Sequence, residues 1–417
     1  MRILIFMFPF AGHIIPNQPL FLELSKRKAE VKVFGCDSTK YGSQEGIEYQ
    51  SYPQYIMEIC KVETNVSLSR KEAANHYYAN ICNEVLVQNR EYMLYEIGHR
   101  FCMQYIKELK KWNPDYIFYD SNVVFLKEML SQLKVKCIEL NASTWNPDRL
   151  EKSRSWNDFL NQIVISETNK EVSVEKIAMI VKKNIRLQKK LAYAYHIDEF
   201  ECQYFAYHCE ELQDEVELLP KENQYLGFDL KMNHQVEKDG SIYISRGTMS
   251  DLYGVYILQE TIEALTELEL PMRISLGNNK KAKEIICSKE YPSNMKIELY
   301  TNQLECLGKA KLFITHGGIT GVKEAIMNQT PMIVIPTNFP DYQVGKALEK
   351  AHAGFLIESR PLDRQEIMQK VKLILDNYKS YQSGIYNLEN ALQKKWRQFG
   401  IAGLLDELEQ SYRKNEF

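Results

Sequence analysis

Between residues 241 and 336 the chain repeats one arrangement: a short apolar run, often a small or hydroxyl-bearing residue at its end, and then a longer helix-like stretch. The runs are SIYISRG (241–247), MRISLG (272–277), KIEL (296–299), KLFIT (311–315) and MIVIP (332–336). Such runs, separated by stretches with helical spacing, fit an α/β domain with a parallel sheet and crossover helices. Ligands of open α/β sheets bind outside the carboxyl ends of the strands, where these Gly, Ser and Thr residues fall. No GxGxxG follows any of the runs, which argues against a dinucleotide-binding domain of the usual kind.

The segment THGGITGVKEAIMNQTP (315–331) carries the densest chemistry. His316, Gly317 and Gly318 turn the chain from a strand into a helix-like segment over 319–327. Unpaired N–H groups and the positive dipole end at that helix start favour an anion, and the glycines let a diphosphate approach closely. Glu324 lies further along the helix, on a face that can reach a ribose hydroxyl. The plain alternative is a tight strand-to-helix turn that holds nothing.

A length of 417 residues fits two domains of about 200 residues each. We expect an amino-terminal domain over 1–212, a linker over 213–240 where periodicity fades, a second domain over 241–385 and a helical segment over 386–417. With 52 basic and 55 acidic residues the net charge is −3, which suggests neither nucleic acid nor a strongly acidic substrate. The basic clusters at 182–190 (KKNIRLQKK) and 280–283 read as solvated helix faces. The start MRILIFMFPF reads as a first buried strand, and no run approaches the ~18 apolar residues of a membrane span, so a soluble protein is expected. Nine cysteines without a CxxC pair are expected to be reduced thiols of a cytoplasmic protein, and a zinc site is not expected.

In the amino half, the first strand runs into PFAGH, VKVF (31–34) follows as a second strand, and residues 41–109 look mainly helical. NPDYIFYD (113–120) returns as a strand. His13 follows one strand and Asp120 ends another, so both fall on one rim of the sheet. A histidine oriented by an aspartate is a general base able to take a proton from an attacking hydroxyl. Separately, each residue also reads as a loop or capping group. Aromatic and methionine residues crowd this half, including Tyr52, Tyr55, Met57, Tyr77, Tyr78, Tyr92, Met93, Trp145 and Tyr195. Ordinary helix packing and a wide apolar ligand pocket are the two readings of that crowding.

FPFAGHIIPNQPL (8–20), NPDYIFYDS (113–121), SIYISRGT (241–248), NMKIELYTNQLECL (294–307), THGGITGVKEA (315–325) and TPMIVIP (330–336) resemble, in order and spacing, the family 1 nucleotide-sugar-dependent glycosyltransferases, which include plant UDP-glycosyltransferases and bacterial macrolide glycosyltransferases. The resemblance covers nearly the whole chain. It implies a GT-B fold, in which two Rossmann-like domains face across a cleft and a last helix crosses back to the first. It also implies that His13 is the base and Asp120 its partner, and that the sugar is transferred with inversion and without a metal or other cofactor. The donor contacts it implies are Gly12, with Ser245, Gly247 and Thr248 near the phosphates, and Tyr300, Thr301 and Gln303 at the nucleotide base. His316, Gly317 and Gly318 would receive the diphosphate, Glu324 the ribose, and Asp341 and Tyr342 the sugar.

This chain departs from the family at several of those places. Thr320 and Gly321 stand where Asn and Ser are usual, Arg246 replaces an apolar residue, Asn302 replaces a proline, and Tyr342 follows Asp341 where glutamine is usual, with Gln343 one position late. The leading expectation is a hexosyltransferase using a nucleoside-diphosphate sugar, with UDP as the expected nucleotide, and an apolar or aromatic small-molecule acceptor. The alternative is a non-catalytic relative that binds a nucleotide sugar or hydrophobic ligand as a partner protein. A homodimer is one expected assembly, and no nucleic-acid partner is expected.

Overall fold

The computed structural model describes residues 1–59, 68–145, 150–168, 173–195, 200–228, 237–248 and 251–415. A first sheet is built from β1 (Arg2–Phe6), β2 (Glu30–Phe34), β3 (Ile47–Gln50), β4 (Tyr116–Asp120), β5 (Cys137–Asn141), β6 (Cys202–Ala206) and β7 (Asn223–Tyr225), in the order β3-β2-β1-β4-β5-β6-β7. A second contains β8 (Ile242–Ser245), β9 (Met272–Ser275), β10 (Met295–Glu298), β11 (Leu312–Thr315), β12 (Met332–Val334) and β13 (Gly354–Leu356), in the order β10-β9-β8-β11-β12-β13. All of their pairings are parallel. These are two Rossmann-like α/β halves. The strand order reverses between β1 and β4 in one and between β8 and β11 in the other, and a crevice opens beyond the strand ends at such a reversal.

The central strands read as continuous apolar runs because helices cover both faces of each sheet. All five residues of β4 and all four of β8 and β11 are buried. Edge strands carry less signal. β3 (IEYQ) lies inside the region expected to be mainly helical; it has no fully buried residue and is short enough to be lost between helices. β7 lies inside the expected 213–240 linker and pairs with β6, so the first sheet extends to Tyr225. Part of that expected linker, residues 229–236, lies outside the described residues.

The last two helices, Tyr378–Gln398 and Gly400–Asn415, return the chain to the first half. Ile401, Leu404, Leu405 and Leu408 share a core with Ile3, Ile5, Val31 and Phe118, and the Tyr116 hydroxyl donates to the Leu408 carbonyl at 2.9 Å. A second junction joins the halves nearer the crevices. Tyr78 of helix Arg70–Cys82 and Trp156 and Phe159 of helix Arg154–Phe159 belong to one buried core with the strands of the second sheet, against Phe339 and Tyr342. Arg70 spans this junction, paired with Glu167 on one side and Glu260 on the other. Among the described residues no helix is long and apolar enough to cross a membrane, and none of the eight described cysteines forms a disulfide.

Candidate active site

β1 ends at Phe6, and after a short turn the single helical turn Ala11–Ile14 brings His13 beside the end of β4. His13 Nδ1 lies 2.9 Å from Asp120 Oδ2, and Asp120 is fully buried. A carboxylate only accepts, so Nδ1 carries the proton. The Asn122 amide nitrogen faces Nε2 at 3.2 Å and can only donate to it, which leaves Nε2 as the basic nitrogen. Asp120 Oδ1 in turn accepts from the Asn122 backbone N–H at 2.9 Å. The ring is therefore held in the tautomer that a general base needs. Asn122 escapes a reading by spacing, since it is the turn after β4 that brings its side chain to the imidazole. Gly12 faces open space, where an added Cβ would meet no atom within 4 Å.

On the facing half, three neighbouring strands end alike. The Ser245 hydroxyl accepts from Gly247 N–H at 3.1 Å, Ser275 from Gly277 at 3.4 Å and Thr315 from Gly317 at 3.3 Å. These glycines have φ of +62°, +64° and +103°, a region costly for other residues. The three hydroxyl residues lie side by side in register. Their turns are packed so tightly that a Cβ on Gly277 would sit 1.9 Å from the Gly247 carbonyl oxygen, and one on Gly317 would sit 2.8 Å from Val334. Gly277 was not singled out by motif, and the signal that could have found it is the repeat of SRG, SLG and THG at strand ends. Thr248 is exposed beside this cradle.

Helix Ile319–Met327 begins at Gly318 with no side-chain cap, so its first N–H groups remain available to an anion. His316 Nδ1 is buried without a hydrogen-bond partner. Burial, and secondarily the charge of Arg246, push this imidazole down to about 3, so it is a neutral hydrogen-bonding group at ordinary pH. Thr320 stands in the first turn, and Gly321 lies beside Gln303, whose Nε2 would be 3.4 Å from an added Cβ. Gln303 Nε2 donates to Glu324 Oε2, and Tyr243 links Thr301 (2.9 Å) and Gln303 (3.3 Å) through its hydroxyl. Burial raises the Glu324 carboxyl above its ordinary range. The residues expected around base and ribose thus meet, apart from Tyr300, which is 71% exposed. Asn302 caps helix Gln303–Lys309, a local reason for asparagine there.

Asp341 is buried in the first turn of helix Phe339–Lys350, where Asn338 Nδ2 donates to its carboxylate at 2.8 Å. Burial lifts its carboxyl from 3.8 to about 7, opposed by Arg246 and Asn338. A carboxyl whose pKa rises on folding stabilises the fold most below about 3.8, and this contribution is lost as pH climbs through about 7. Asp341→Asn is therefore expected to gain melting temperature relative to wild type between pH 4 and pH 7.5 and to gain no further above that range; a gap that does not change with pH in calorimetric scans would exclude this ionisation.

Tyr342 is not brought to the same place. It is fully buried against Phe159 and Phe339 with its hydroxyl bonded to Glu358, because its position on the helix points it into the junction between the halves. Gln343 also faces the junction, where it accepts from the Thr144 hydroxyl at 2.9 Å and donates to the Trp145 carbonyl at 3.2 Å. Arg246 is buried below the cradle, donating to the Ile335 carbonyl and Thr337 hydroxyl, each at 3.0 Å. The aromatic crowding in the first half is largely packing: Tyr52 lies among Phe34, Phe101 and Phe125, Trp145 against Tyr225, and Tyr78 against Tyr253.

Residues 254–395 match the glycosyltransferase family 28 C-terminal domain. Two Bacillus subtilis proteins described as uncharacterized UDP-glucosyltransferases are similar to this chain: YojK is 27% identical over 143 residues (34% of each protein) and YdhE 28% identical over 189 residues (45% of this chain, 46% of the relative). The chain thus spans between a third and a half of the length of these relatives. Among solved structures, the spinosyn rhamnosyltransferase SpnG superposes with a TM-score of 0.69 at 13% identity, covering 98% of this chain and 100% of SpnG; it has also been solved with thymidine diphosphate and with spinosyn aglycone. The strand order and the superposition give the chain the two-domain GT-B fold, and its second half is similar to the glycosyltransferase family 28 C-terminal domain.

Proposed function

We propose that the protein is an inverting glycosyltransferase that moves a hexose from a UDP-sugar to a hydroxyl of an apolar small molecule, without a metal. The observation that carries this reading is the His13–Asp120 pair, with its proton on Nδ1 and its basic Nε2 on the strand-end rim. The acceptor hydroxyl gives its proton to Nε2 as its oxygen attacks the anomeric carbon from the face opposite the diphosphate. The bond from that carbon to the diphosphate breaks, and the imidazolium formed is stabilised by the buried Asp120 carboxylate. Charge leaving on the diphosphate is met by the uncapped start of helix Ile319–Met327 and by a hydrogen bond from neutral His316, which act as fixed dipoles. Gln303 and Glu324 fit the base and ribose of the nucleotide, and Asp341 fits the sugar hydroxyls.

The UDP-glucosyltransferase descriptions of the bacterial relatives support the donor, and the aglycone-bound SpnG structure supports a natural-product acceptor. Incubation with UDP-glucose, UDP-galactose and UDP-glucuronate and a pool of phenolic and macrolide acceptors, read by mass spectrometry, is expected to yield a product heavier by one sugar and an equivalent of UDP. UDP binding by calorimetry with no product from any donor would instead support the non-catalytic relative.

A further inference from the structure

Helix Ile319–Met327 faces two ways. Glu324 points to Gln303 and the nucleotide end, while its neighbour Lys323 points into the other half of the molecule and is fully buried. Lys323 Nζ donates to the Tyr207 carbonyl at 3.0 Å and lies 4.0 Å from the centre of the Phe228 ring. Among the described residues no carboxylate forms an ion pair with it. A buried ammonium held only by a carbonyl and a ring is costly, and burial pushes this amine down to about 7. Lysine is thus a poor choice for simply filling the space.

The contact does not stop at Tyr207. The Tyr207 hydroxyl donates to Asn17 Oδ1 at 2.8 Å, and Asn17 Nδ2 donates to the His13 carbonyl at 2.7 Å. Tyr207 is 1% exposed and Asn17 is fully buried, so the bond between them has no water as a ready substitute. Asn17 closes the turn Ile15–Asn17 that follows directly on the turn bearing His13. The series therefore begins on the helix expected to hold the diphosphate and ends on the backbone of the histidine.

We propose that Lys323, Tyr207 and Asn17 form a positioning relay that sets the base on one half relative to the donor helix on the other. The two groups belong to different sheets, and a base must sit within hydrogen-bond reach of the proton it takes, with errors near 1 Å costing on the order of 100-fold in rate. The three bonds, the first two of them buried, supply a direct mechanical link between them. The inference rests on the transferase reading for its kinetic consequence but not for its structural one.

Tyr207→Phe keeps the ring and removes one hydroxyl, and Lys323→Met keeps the length and removes the ammonium. Both are expected to lower kcat by roughly 10- to 100-fold with the KM for UDP-sugar unchanged, and the double variant is expected to lose little more than either alone. In the ligand-free protein, the His13 ring resonances in a ¹³C-histidine NMR spectrum are expected to move in both variants while those of His352, distant in the fold, do not. Unmoved His13 resonances in both variants, or losses of kcat that add in the double variant, overturn the relay. If the wild type turns over no donor, the resonances alone decide the relay, and the missing turnover counts only against the transferase reading.

Discussion

His13→Ala is expected to abolish most turnover, lowering kcat by roughly 10²–10⁴-fold, while calorimetric affinity for UDP stays at the wild-type value. The split follows from where the residues lie. The imidazole is carried by the turn after β1 and bonded to Asp120 and Asn122, whereas the uncapped helix start, Gln303 and Glu324 belong to the second half. Removing the ring leaves Asp120 buried without its partner but creates no clash, and Asn122 still donates its backbone N–H to Asp120. UDP release measured with a fixed donor and acceptor gives the first quantity and titration calorimetry the second. Equal rates for wild type and variant would remove His13 from the base role; lost UDP binding together with a lowered melting temperature would make it a structural residue.

Gly277→Ala should have the largest effect on the donor side. Its φ of +64° alone costs a substituted residue on the order of 1–2 kcal/mol. The larger problem is steric, because the new methyl would lie 1.9 Å from the Gly247 carbonyl oxygen. One of the two turns must shift, and either shift opens the cradle that Gly247 shares with His316, whose Cε1 lies 3.3 Å from the Cβ position of Gly247. We expect UDP affinity to fall at least ~10-fold, about 1.4 kcal/mol, and the melting temperature to drop by several degrees. Gly12→Ala, whose methyl meets no atom within 4 Å, should melt with the wild type. A Gly277→Ala protein that binds UDP normally would separate the turn from the donor.

The central strands were legible because burial on both faces writes uninterrupted apolar runs, and SIYIS, KLFIT and MIVIP fall on β8, β11 and β12 within a residue or two. Edge strands such as β3 and β7 were not, since a short half-buried run looks like the end of a helix or part of a loop. In the site, the separation followed whether a role depends on chain order or on a fold-back. His13, Asp120, Gln303 and Glu324 sit on strand ends and helices that can be located from the sequence; His13 meets Asp120, and Gln303 meets Glu324. Tyr342 reads as one step from Asp341, but a single residue on a helix rotates a side chain by about 100°, enough to turn it from the crevice into the junction. Asn122 reaches His13, and Lys323 reaches Tyr207, only through tertiary packing, so no local spacing announces either contact.

The core that joins Tyr78, Trp156 and Phe159 to the second sheet constrains how this scaffold can be recombined. A chimaera cut between the two sheets would separate these aromatic residues from Phe339 and Tyr342 and pair them with a surface shaped for other side chains. To exchange donor preference with a relative by grafting the second half, helices Arg70–Cys82 and Arg154–Phe159 would have to travel with it, although both lie far upstream in the first. The exchangeable unit is therefore discontinuous in sequence, and a single crossover point does not capture it.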